Sequence, residues 1–426
     1  MKIEILHQYF LESTGICTDS RKITKGCLFF CLKGDNFNGN LFSHEALDKG
    51  AYKVIIDDIQ YHKNTGETII CKSALTILQK LAAYHRKHLK LPIIALTGSN
   101  GKTTTKELIN AVLSQQYTTV ATRGNLNNHI GVPLTLLSMN ETTEIGIVEM
   151  GANHLKEIEQ LCNFTNPDYG YITNFGKAHL EGFGSVQGVI AGKTELYKHI
   201  KMHQKMVFVN ALDITQMQHS QGMHRFTFGN EQQDCHIQLK DATNKLLVFY
   251  KGVQIQSNLI GLYNFHNIAA AIAIGDYFKI PAEKIKMAIE AYTPNNNRSQ
   301  LLEKGGFKII LDAYNANPTS MMAAIENFKQ ADGKHKVLFL GDMFELGAEA
   351  EKEHQYIASY LEKHTIGKTY LIGSNFYKTQ TNAPHIHKME SFDDLQQHLK
   401  GHSIKEGFLL IKASRGMALE RILELL

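Results

Sequence analysis

Short apolar runs and stretches of helically spaced apolar residues alternate along the chain. Runs with the character of buried strands lie at 51–56, 91–95, 146–149, 169–173, 206–209, 307–311, 336–340, 370–372 and 408–411. Apolar residues recur at helical spacing in 74–89, 106–113, 264–278, 319–328, 350–361 and 417–425. Strands that alternate with helices indicate largely parallel sheets, so the pattern predicts an α/β protein.

Length and one linker divide this pattern into three domains. A chain of 426 residues is too long for one typical domain and suggests about three. Pro294 is followed by three asparagines, a linker signal after which the alternation restarts. We therefore predict a small α/β domain over 1–90, a central parallel-sheet domain over 91–297 and a doubly wound, Rossmann-like domain over 298–426.

Composition narrows the class of protein without identifying it. Apolar residues make up 43% of the chain and charged residues 20%, as in a soluble globular protein with a real core. The net charge of +4 gives no argument for binding nucleic acid, and no apolar run approaches a membrane span. The first five residues lack the apolar core of a signal peptide, and the six cysteines are scattered. We therefore expect a cytoplasmic protein.

The stretch 96–105, Leu-Thr-Gly-Ser-Asn-Gly-Lys-Thr-Thr-Thr, has the order of a phosphate-binding loop between a strand and a helix. Gly98 and Gly101 let the backbone turn its N–H groups inward, and the helix N-terminus adds partial positive charge. Lys102 can reach a terminal phosphate, and the Thr103 hydroxyl can bind Mg²⁺. The usual motif has a further glycine where this chain has leucine. The alternative is a glycine-rich turn that carries a surface lysine.

Single residues beyond this loop admit two interpretations each. Glu149 ends a predicted strand, where a carboxylate can hold Mg²⁺ or simply face solvent. His179 also follows a strand and could bind a second metal or be structural. Lys193, taken alone, is a solvated helix lysine. Arg298 and Asp312 could clamp a phosphate and a ribose if the last domain closes over the nucleotide.

Five separated stretches occur in one order along the chain, at 122–133, 149–153, 178–185, 312–318 and 341–347. The last two of these stretches have the sequences Asp-Ala-Tyr-Asn-Ala-Asn-Pro and Gly-Asp-Met-Phe-Glu-Leu-Gly. With these stretches the sequence resembles the Mur ligases, the ATP-dependent amide-bond-forming enzymes of bacterial peptidoglycan precursor synthesis. The resemblance covers essentially the whole chain and includes the missing first glycine of the phosphate-binding loop.

The resemblance implies a fold, an activity and its substrates. The three domains would be a UDP-substrate-binding domain, a central ATP-binding domain and a C-terminal Rossmann-like ligase domain. The stretches are similar to those of members that add D-alanyl-D-alanine to the UDP-N-acetylmuramoyl tripeptide through an acyl phosphate, a step of cell-wall synthesis. ATP, two Mg²⁺ ions and a carbamylated lysine are implied as cofactors, and a monomer is expected.

The resemblance also assigns roles to single residues. The catalytic set is Lys102, Glu149, His179 and Lys193, and the metal set is Thr103, Glu149, His179 and Lys193, with Lys193 on the carbamylated position. The nucleotide set is Gly98, Ser99, Asn100, Gly101, Lys102, Thr103, Thr104, Asn264, Asn267, Arg298 and Asp312. The substrate set is Ser20, Arg21, Asn127, Asn128, Tyr314, Asn315 and Asn317. Tyr263 stands where many members have histidine, and Ala413 where glycine is common.

Two other classes of function remain open at this point. A different amide ligase of the same superfamily, either another Mur-type ligase or a folylpolyglutamate synthase-like enzyme, is the nearest alternative. The stretch Asp19-Ser20-Arg21 argues against the folate enzyme, which lacks such an N-terminal domain. A phosphate-binding-loop regulator without ligase activity is the second alternative, and it would have no need of Lys193.

Overall fold

The computed structural model describes residues 2–63, 65–402 and 404–426, which form three α/β units in chain order. In the first unit, four parallel strands are arranged in the order β1-β2-β5-β6, and β3 pairs with β4 in a separate hairpin. Its elements are α1 Ile3–Glu12, β1 Ile16–Cys17, β2 Leu28–Phe30, β3 Lys33–Gly34, β4 Phe37–Asn38, α2 Ser43–Asp48, β5 Lys53–Ile56, β6 Thr68–Ile70 and α3 Ala74–Leu89.

The central unit is built on a nine-stranded sheet in the order β15-β14-β13-β12-β11-β10-β7-β9-β8. The pairs from β8 through β13 are parallel, and β13, β14 and β15 pair antiparallel. Its strands are β7 Ile93–Thr97, β8 Thr119–Ala121, β9 Ile145–Glu149, β10 Tyr169–Ile172, β11 Met206–Asn210, β12 His224–Gly229, β13 Cys235–Asp241, β14 Leu247–Tyr250 and β15 Val253–Gln256. Its helices are α4 Lys102–Leu113, α5 Gly131–Leu137, α6 Glu157–Thr165, α7 Leu180–Phe183, α8 Val186–Lys193, α9 Glu195–Met202, α10 Ile214–His219, α11 Tyr263–Tyr277 and α12 Ala282–Ala291.

The last unit has a six-stranded sheet in the order β16-β17-β21-β18-β19-β20. Only β16 runs antiparallel to its neighbour among these strands. Its elements are β16 Gln300–Lys304, β17 Phe307–Asp312, α13 Pro318–Gln330, β18 Lys336–Gly341, α14 Ala350–Lys363, β19 Lys368–Ile372, α15 Ser374–Tyr377, β20 Ile386–Met389, α16 Phe392–Gly401 and β21 Gly407–Lys412.

These bounds confirm the predicted α/β architecture and correct some of its details. The predicted helix over 417–425 is wrong in type, because Arg415–Met417 and Leu419–Leu425 are 3₁₀ helices. Among the elements absent from the prediction is β20, of which only Ile386 is buried, so its sequence carries little apolar signal. The domain limits at 90/91 and 297/298 lie between α3 and β7 and between α12 and β16, and they remain predictions.

Two interfaces decide how the units meet. Helix α3 of the first unit packs against α5 and α6 of the central unit. Its residues Leu78, Leu81 and Ala82 are fully buried in a cluster that also contains Leu136 and Leu161 of those helices. The central and last units meet along the carboxyl ends of their parallel strands, the edge where open α/β sheets bind ligands. In the described stretches, none of the helices has both the length and the apolar character needed to span a membrane.

Candidate active site

A cavity of about 740 Å³ lies between the central and last units. Most residues that the sequence assigned to the nucleotide, the metal or the substrate line it together. They are Ser99, Asn100, Gly101, Lys102, Thr103, Thr104, Asn127, Asn128, Glu149, His179, Asn264, Asn267, Arg298, Asp312, Tyr314, Asn315 and Asn317. A volume of this size suits a nucleotide together with part of a second substrate.

The phosphate-binding loop connects β7 to α4, as predicted from its sequence. Gly101 has φ of +79°, and a Cβ there would lie 2.5 Å from Oδ1 of Asn267, so only glycine fits. Lys102 begins α4, and its ammonium donates to the carbonyl of Gly98 at 2.7 Å. Burial lowers the pKa of Lys102 to about 8, because the charged form loses its hydration. The loop thus presents backbone N–H groups and one cation to the cavity.

Glu149 ends β9 beside this loop, and its side chain is almost fully buried. Its Oε1 accepts hydrogen bonds from Nδ2 of Asn127 at 2.7 Å and from Oγ1 of Thr103 at 3.2 Å. Its Oε2 is buried and has no hydrogen-bond partner in the described residues. An orphaned carboxylate oxygen beside a hydroxyl is the donor chemistry that Mg²⁺ prefers, so these residues fit a hard cation.

His179 contacts a residue of the last unit that the sequence analysis did not single out. Its Nδ1 lies 2.5 Å from Oε2 of Glu345, and the backbone N–H of Glu181 donates to the Glu345 carbonyl at 3.1 Å. His179 and Glu345 have φ of +54° and +61°, a left-handed conformation that is uncommon outside glycine. The hydrogen bond from His179 holds the pKa of the Glu345 carboxyl below its ordinary value. Strained backbone at two facing residues indicates a functional constraint.

Lys193 does not line the cavity but lies directly behind its wall. It is fully buried at the end of α8, and its Nζ donates to the carbonyl of Ala152, a lining residue, at 3.0 Å. Its Nζ also lies 5.0 Å from the centre of the Phe183 ring. Burial, followed by the nearby charge of Lys102, lowers the pKa of Lys193 well below its ordinary value. The side chain is therefore close to Lys102 but is not in contact with the open space.

Asn264 and Asn267, both in the predicted nucleotide set, lie on α11, and Asn267 contacts the phosphate-binding helix. Asn267 accepts a hydrogen bond from Oγ1 of Thr105 at 3.0 Å and donates to Oδ1 of Asn264 at 2.8 Å. Asn264 in turn donates to the carbonyl of Ile260 at 2.8 Å. Tyr263, the position that departs from the family, donates or accepts a 2.8 Å hydrogen bond with Oγ of Ser299.

The last unit contributes a cluster of charged residues on the opposite wall. The guanidinium of Arg298 stacks on Tyr314, 3.6 Å from the ring centre, and its Nε is buried without a hydrogen-bond partner in the described residues. Asp312 accepts from the backbone N–H of Ser299 at 3.0 Å and from Nζ of Lys412 at 2.6 Å. An anion is the partner that this arginine lacks.

Polar contacts join the two walls near the phosphate-binding loop. The side-chain amide of Asn317, which caps α13, donates to Oδ1 of Asn100 at 2.7 Å. Lys177 pairs with the buried carboxylate of Glu353 at 2.5 Å. Loop residues of the central unit therefore contact the last unit directly.

Some predicted site residues lie elsewhere. Ser20 and Arg21 belong to the first unit and do not line the cavity, and the Arg21 side chain is 85% exposed beside Asp19. Gly98 shapes the loop without lining the cavity. In the described residues, no group of three His, Cys, Asp or Glu side chains is arranged to hold a metal ion.

Three residues that line or support the site were not predicted from the sequence: Glu345, Lys412 and Lys106. Glu345 lies in the stretch 341–347, which was recognised as a whole, and an acid shortly after a strand end was an available signal. Lys412 ends β21 and lines the cavity, as a strand-end residue should. Lys106 is a helix lysine whose complete burial no sequence pattern reveals.

Comparison with known proteins gives a consistent result over the whole chain. Sequence models of three domains match it: the Mur ligase family catalytic domain over 12–87, the Mur ligase middle domain over 96–275, and the Mur ligase glutamate ligase domain over 297–415. Their order agrees with the order of the three units.

Individual relatives match at full length. The chain is 35% identical to the UDP-N-acetylmuramoyl-tripeptide–D-alanyl-D-alanine ligase of Bacillus subtilis, over 96% of this chain and 92% of the relative. It is 31% identical to the ligase of the same name from Escherichia coli, over 97% and 93%. The MurF ligase of Thermotoga maritima, solved in complex with ADP, superposes with a TM-score of 0.85 at 26% identity, over 98% of this chain and 97% of that one.

Proposed function

The chain belongs to the Mur ligase family, and on that premise we propose that it is the ATP-dependent ligase that adds D-alanyl-D-alanine to the UDP-N-acetylmuramoyl tripeptide. The product is the pentapeptide precursor of peptidoglycan. The full-length relatives that carry this activity in their names support the assignment. The cavity supports it by chemistry, since it joins a phosphate-binding loop to an acidic, oxygen-rich wall.

One observation carries the proposal: Lys102, Glu149 and His179 share a single cavity with Arg298 and Asp312 of the other unit. A ligase of this kind must hold a nucleotide phosphate, an acceptor carboxylate and an amine at one point. A nucleotide-binding regulator needs neither a site for the amine nor a second domain that contributes a cation of its own.

The reaction has two steps. The terminal carboxylate of the tripeptide attacks the γ-phosphorus of ATP, the bond to the β-phosphate oxygen breaks, and ADP leaves. The neutral dipeptide amine then attacks the acyl carbon and forms the C–N bond, phosphate leaves with the electrons of the C–O bond, and the nitrogen loses one proton to solvent. Phosphorylation is needed because oxide, the leaving group of a free carboxylate, does not depart.

The residues of this chain act by position and charge rather than by covalent attack. Lys102 neutralises charge on the phosphates at the N-terminus of α4. Arg298, held flat by the Tyr314 ring, provides the anion partner on the opposite wall, and Asp312 is the candidate for the ribose hydroxyls. Exclusion of water by closure of the last unit protects the acyl phosphate from hydrolysis.

Mg²⁺ fits the oxygen atoms around the phosphate-binding loop. Thr103 and Glu149 would hold one ion, with water and phosphate oxygens completing its shell, as Mg²⁺ sites usually require. His179, with Lys193 in its modified form, would hold a second. When bound, such ions neutralise the charge that develops on the transferred phosphoryl group.

Lys193 fits carbamylation because burial lowers the pKa of its amine well below the ordinary value, which favours the neutral form. A neutral amine adds to carbon dioxide, an N–C bond forms, and one proton leaves to solvent. The product is an anionic, carboxylate-like group in place of a cation. The carbonyl of Ala152 accepts a hydrogen bond from this amine, and Ala152 lies between the amine and the cavity.

The remaining assignments concern the substrates and the setting. Ser20 and Arg21 hold the uridine end of the muropeptide on the first unit, and Asn127, Asn128, Asn315 and Asn317 contact substrate at the cavity wall. The enzyme acts as a monomer in the cytoplasm. All six cysteines are free, which agrees with a reducing compartment.

The test is phosphate release from ATP across a panel of substrates. We expect release that requires both the UDP-muropeptide tripeptide and D-alanyl-D-alanine, and Lys102→Ala should abolish it. Activity with a single amino acid in place of the dipeptide would assign the chain to another Mur-type ligase. Slow ATP hydrolysis that ignores both peptides would instead support a regulator and overturn the proposal.

A further inference from the structure

The reaction proposed above needs a place for the positively charged amine end of the incoming dipeptide, and five carboxylates line the cavity: Glu149, Glu157, Asp213, Asp312 and Glu345. An ammonium group is best received by a carboxylate through a charge-assisted hydrogen bond. The hydrogen-bond partners that each carboxylate already has therefore indicate which one is free to bind the ammonium group.

Three of the five carboxylates are already engaged by this chain. Glu157 accepts from the backbone N–H groups of Asn153 at 2.7 Å and His154 at 3.1 Å. Asp213 caps α10 and accepts from the backbone and side chain of Gln216 at 3.0 and 3.1 Å.

Asp312 is the third, and both of its oxygens are used. Oδ1 accepts from the Ser299 backbone at 3.0 Å, and Oδ2 accepts from Lys412 at 2.6 Å. Glu149, the fourth, is nearly fully buried. Its Oε1 accepts from Asn127 and Thr103, and its Oε2 is the oxygen proposed above to bind Mg²⁺. Glu157, Asp213 and Asp312 thus have both oxygens engaged by this chain, since Oε1 of Glu157 lies 3.3 Å from Nδ1 of His154. Glu149 is excluded by its burial.

Glu345 differs from the other four carboxylates in its partners. Its side chain is 47% exposed, and its contact with His179 uses only Oε2. Among the described residues, Oε1 of Glu345 has no hydrogen-bond or ion-pair partner. One oxygen of this carboxylate is therefore left without a hydrogen-bond or ion-pair partner in the part of the chain that the structure describes, although the charge of Lys102 acts on it.

The loop that carries Glu345 is held firmly. The backbone N–H of Met343 donates to Nε2 of the buried His354 at 3.0 Å, and that of Phe344 donates to Oγ of Ser414 at 2.8 Å. The Glu345 carbonyl accepts from Glu181 of the central unit at 3.1 Å. These bonds hold Glu345 in a left-handed backbone conformation. Backbone strain of this kind is typical of functional positions.

We propose that Glu345 receives the ammonium end of the dipeptide and thereby selects an amine as the second substrate. This role rests on the proposed ligase function and adds a specificity-determining residue to it. Phe344, which also lines the cavity beside Glu345, offers an apolar surface for the methyl group of the first D-alanine. The site thus distinguishes a dipeptide with a free amine from an equally sized molecule without one.

The test compares two ligands that differ in one group, D-alanyl-D-alanine and D-lactoyl-D-alanine, in which a hydroxyl replaces the amine. Their dissociation constants are measured by calorimetry with the UDP-muropeptide and a non-hydrolysable ATP analogue present. We expect the parent enzyme to prefer the amine by at least about tenfold, the usual worth of a charge-assisted hydrogen bond. We expect Glu345→Gln to reduce this preference to about twofold or less.

Three controls make the result decisive. Glu349→Gln removes an exposed carboxylate four residues along, which pairs with Lys352 outside the cavity, and should leave the preference unchanged. Glu345→Asp keeps the charge and should retain part of the preference. Thermal unfolding of each variant checks that the fold is intact, and Glu345→Asp carries the test if Glu345→Gln does not fold.

Failure of this inference can be separated from failure of the proposed function. Acyl phosphate, trapped with hydroxylamine in the absence of dipeptide, should form in the parent enzyme. An unchanged amine preference in Glu345→Gln, with acyl phosphate still formed, would overturn the role of Glu345 alone. Absence of acyl phosphate in the parent enzyme would overturn the ligase function itself.

Discussion

Lys106 and Lys193 are both fully buried in the central unit, yet their surroundings differ. Lys106, on the phosphate-binding helix, donates to the carbonyl of Thr122 at 2.6 Å and pairs with the carboxylate of Glu107. Lys193 has one hydrogen-bond acceptor among the described residues, the carbonyl of Ala152, and no ion pair. Burial alone therefore does not distinguish a structural lysine from a reactive one, whereas the number and charge of its partners do.

The two surroundings have different consequences. The bond from Lys106 fixes Thr122, whose hydroxyl accepts from the backbone N–H of Glu149 at 3.0 Å, so this lysine supports the acidic wall from behind. Lys193 has no carboxylate partner to stabilise its ammonium form. A buried charge without a counterion is costly, so burial lowers the pKa of this amine and favours its neutral form.

The largest expected effect is on catalysis by Lys193→Ala. Loss of the modified side chain should lower turnover on the order of 10³-fold, as loss of one preorganised charged group typically does. Short carboxylic acids should restore part of the rate, because they can occupy the space of the carbamate. ¹³C NMR of the parent enzyme in labelled bicarbonate gives an independent signal. Parent-like turnover in this variant would refute the carbamate.

Lys106→Met should have the largest effect on stability. The variant leaves the Thr122 carbonyl buried without its donor, which should cost about 3 kcal/mol in the free energy of unfolding. Chemical denaturation measures this cost. Glu107→Gln is the matched control: it removes only the negative charge of the partly exposed partner and keeps an acceptor oxygen, so it should cost less than Lys106→Met. Equal losses in the two variants would contradict a structural role for the Lys106 carbonyl bond.

Lys102 differs from both of these lysines: it is half-buried and lines the cavity, and its pKa is lowered to about 8. Its ammonium is present below that pH and is lost as pH rises through it. Because the phosphates bind the charged form, KM for ATP should rise about tenfold from neutral to alkaline pH, with a midpoint near that pKa. A pH profile of kcat/KM for ATP measures this change, and a flat profile across that range would contradict it.

The smallest effect is a gain in stability for Lys193→Met in bicarbonate-free buffer. The pH range in question runs from the lowered pKa of Lys193 in the folded protein up to its ordinary value of about 10.5. In this range the unfolded chain binds more protons than the folded one, so the stability of the parent enzyme rises with pH. Methionine does not titrate, so the variant should be more stable by about 1 kcal/mol at neutral pH. The gain should shrink as the pH approaches the ordinary lysine value. Denaturation at several pH values tests the sign, and a loss of stability would contradict it.

Much of the fold and cavity was predictable because the signals are local. The loop 96–105 carries its glycines, lysine and hydroxyl in sequence, and strand-end residues such as Glu149 and Asp312 follow from the strand pattern. Parallel sheets bring such ends to one edge, which is why separate predictions met in one cavity.

The rest depended on distances between remote parts of the chain. The burial of Lys106 and the approach of Glu345 to His179 are set by packing between units and leave no periodic trace in the sequence. The helix type over 419–425 was mistaken because apolar spacing does not separate an α-helix from a 3₁₀ helix over so few residues.

The packing of α3 against α5 and α6 affects how the protein unfolds on heating. Because the first and central units share one apolar interior, we expect calorimetry to resolve them as a single endotherm, not two. A truncated chain that starts at β7 would leave Leu136 and Leu161 bare to water and should precipitate. The central unit then depends on the first unit for its structure, and we expect neither of them to be stable when it is produced alone.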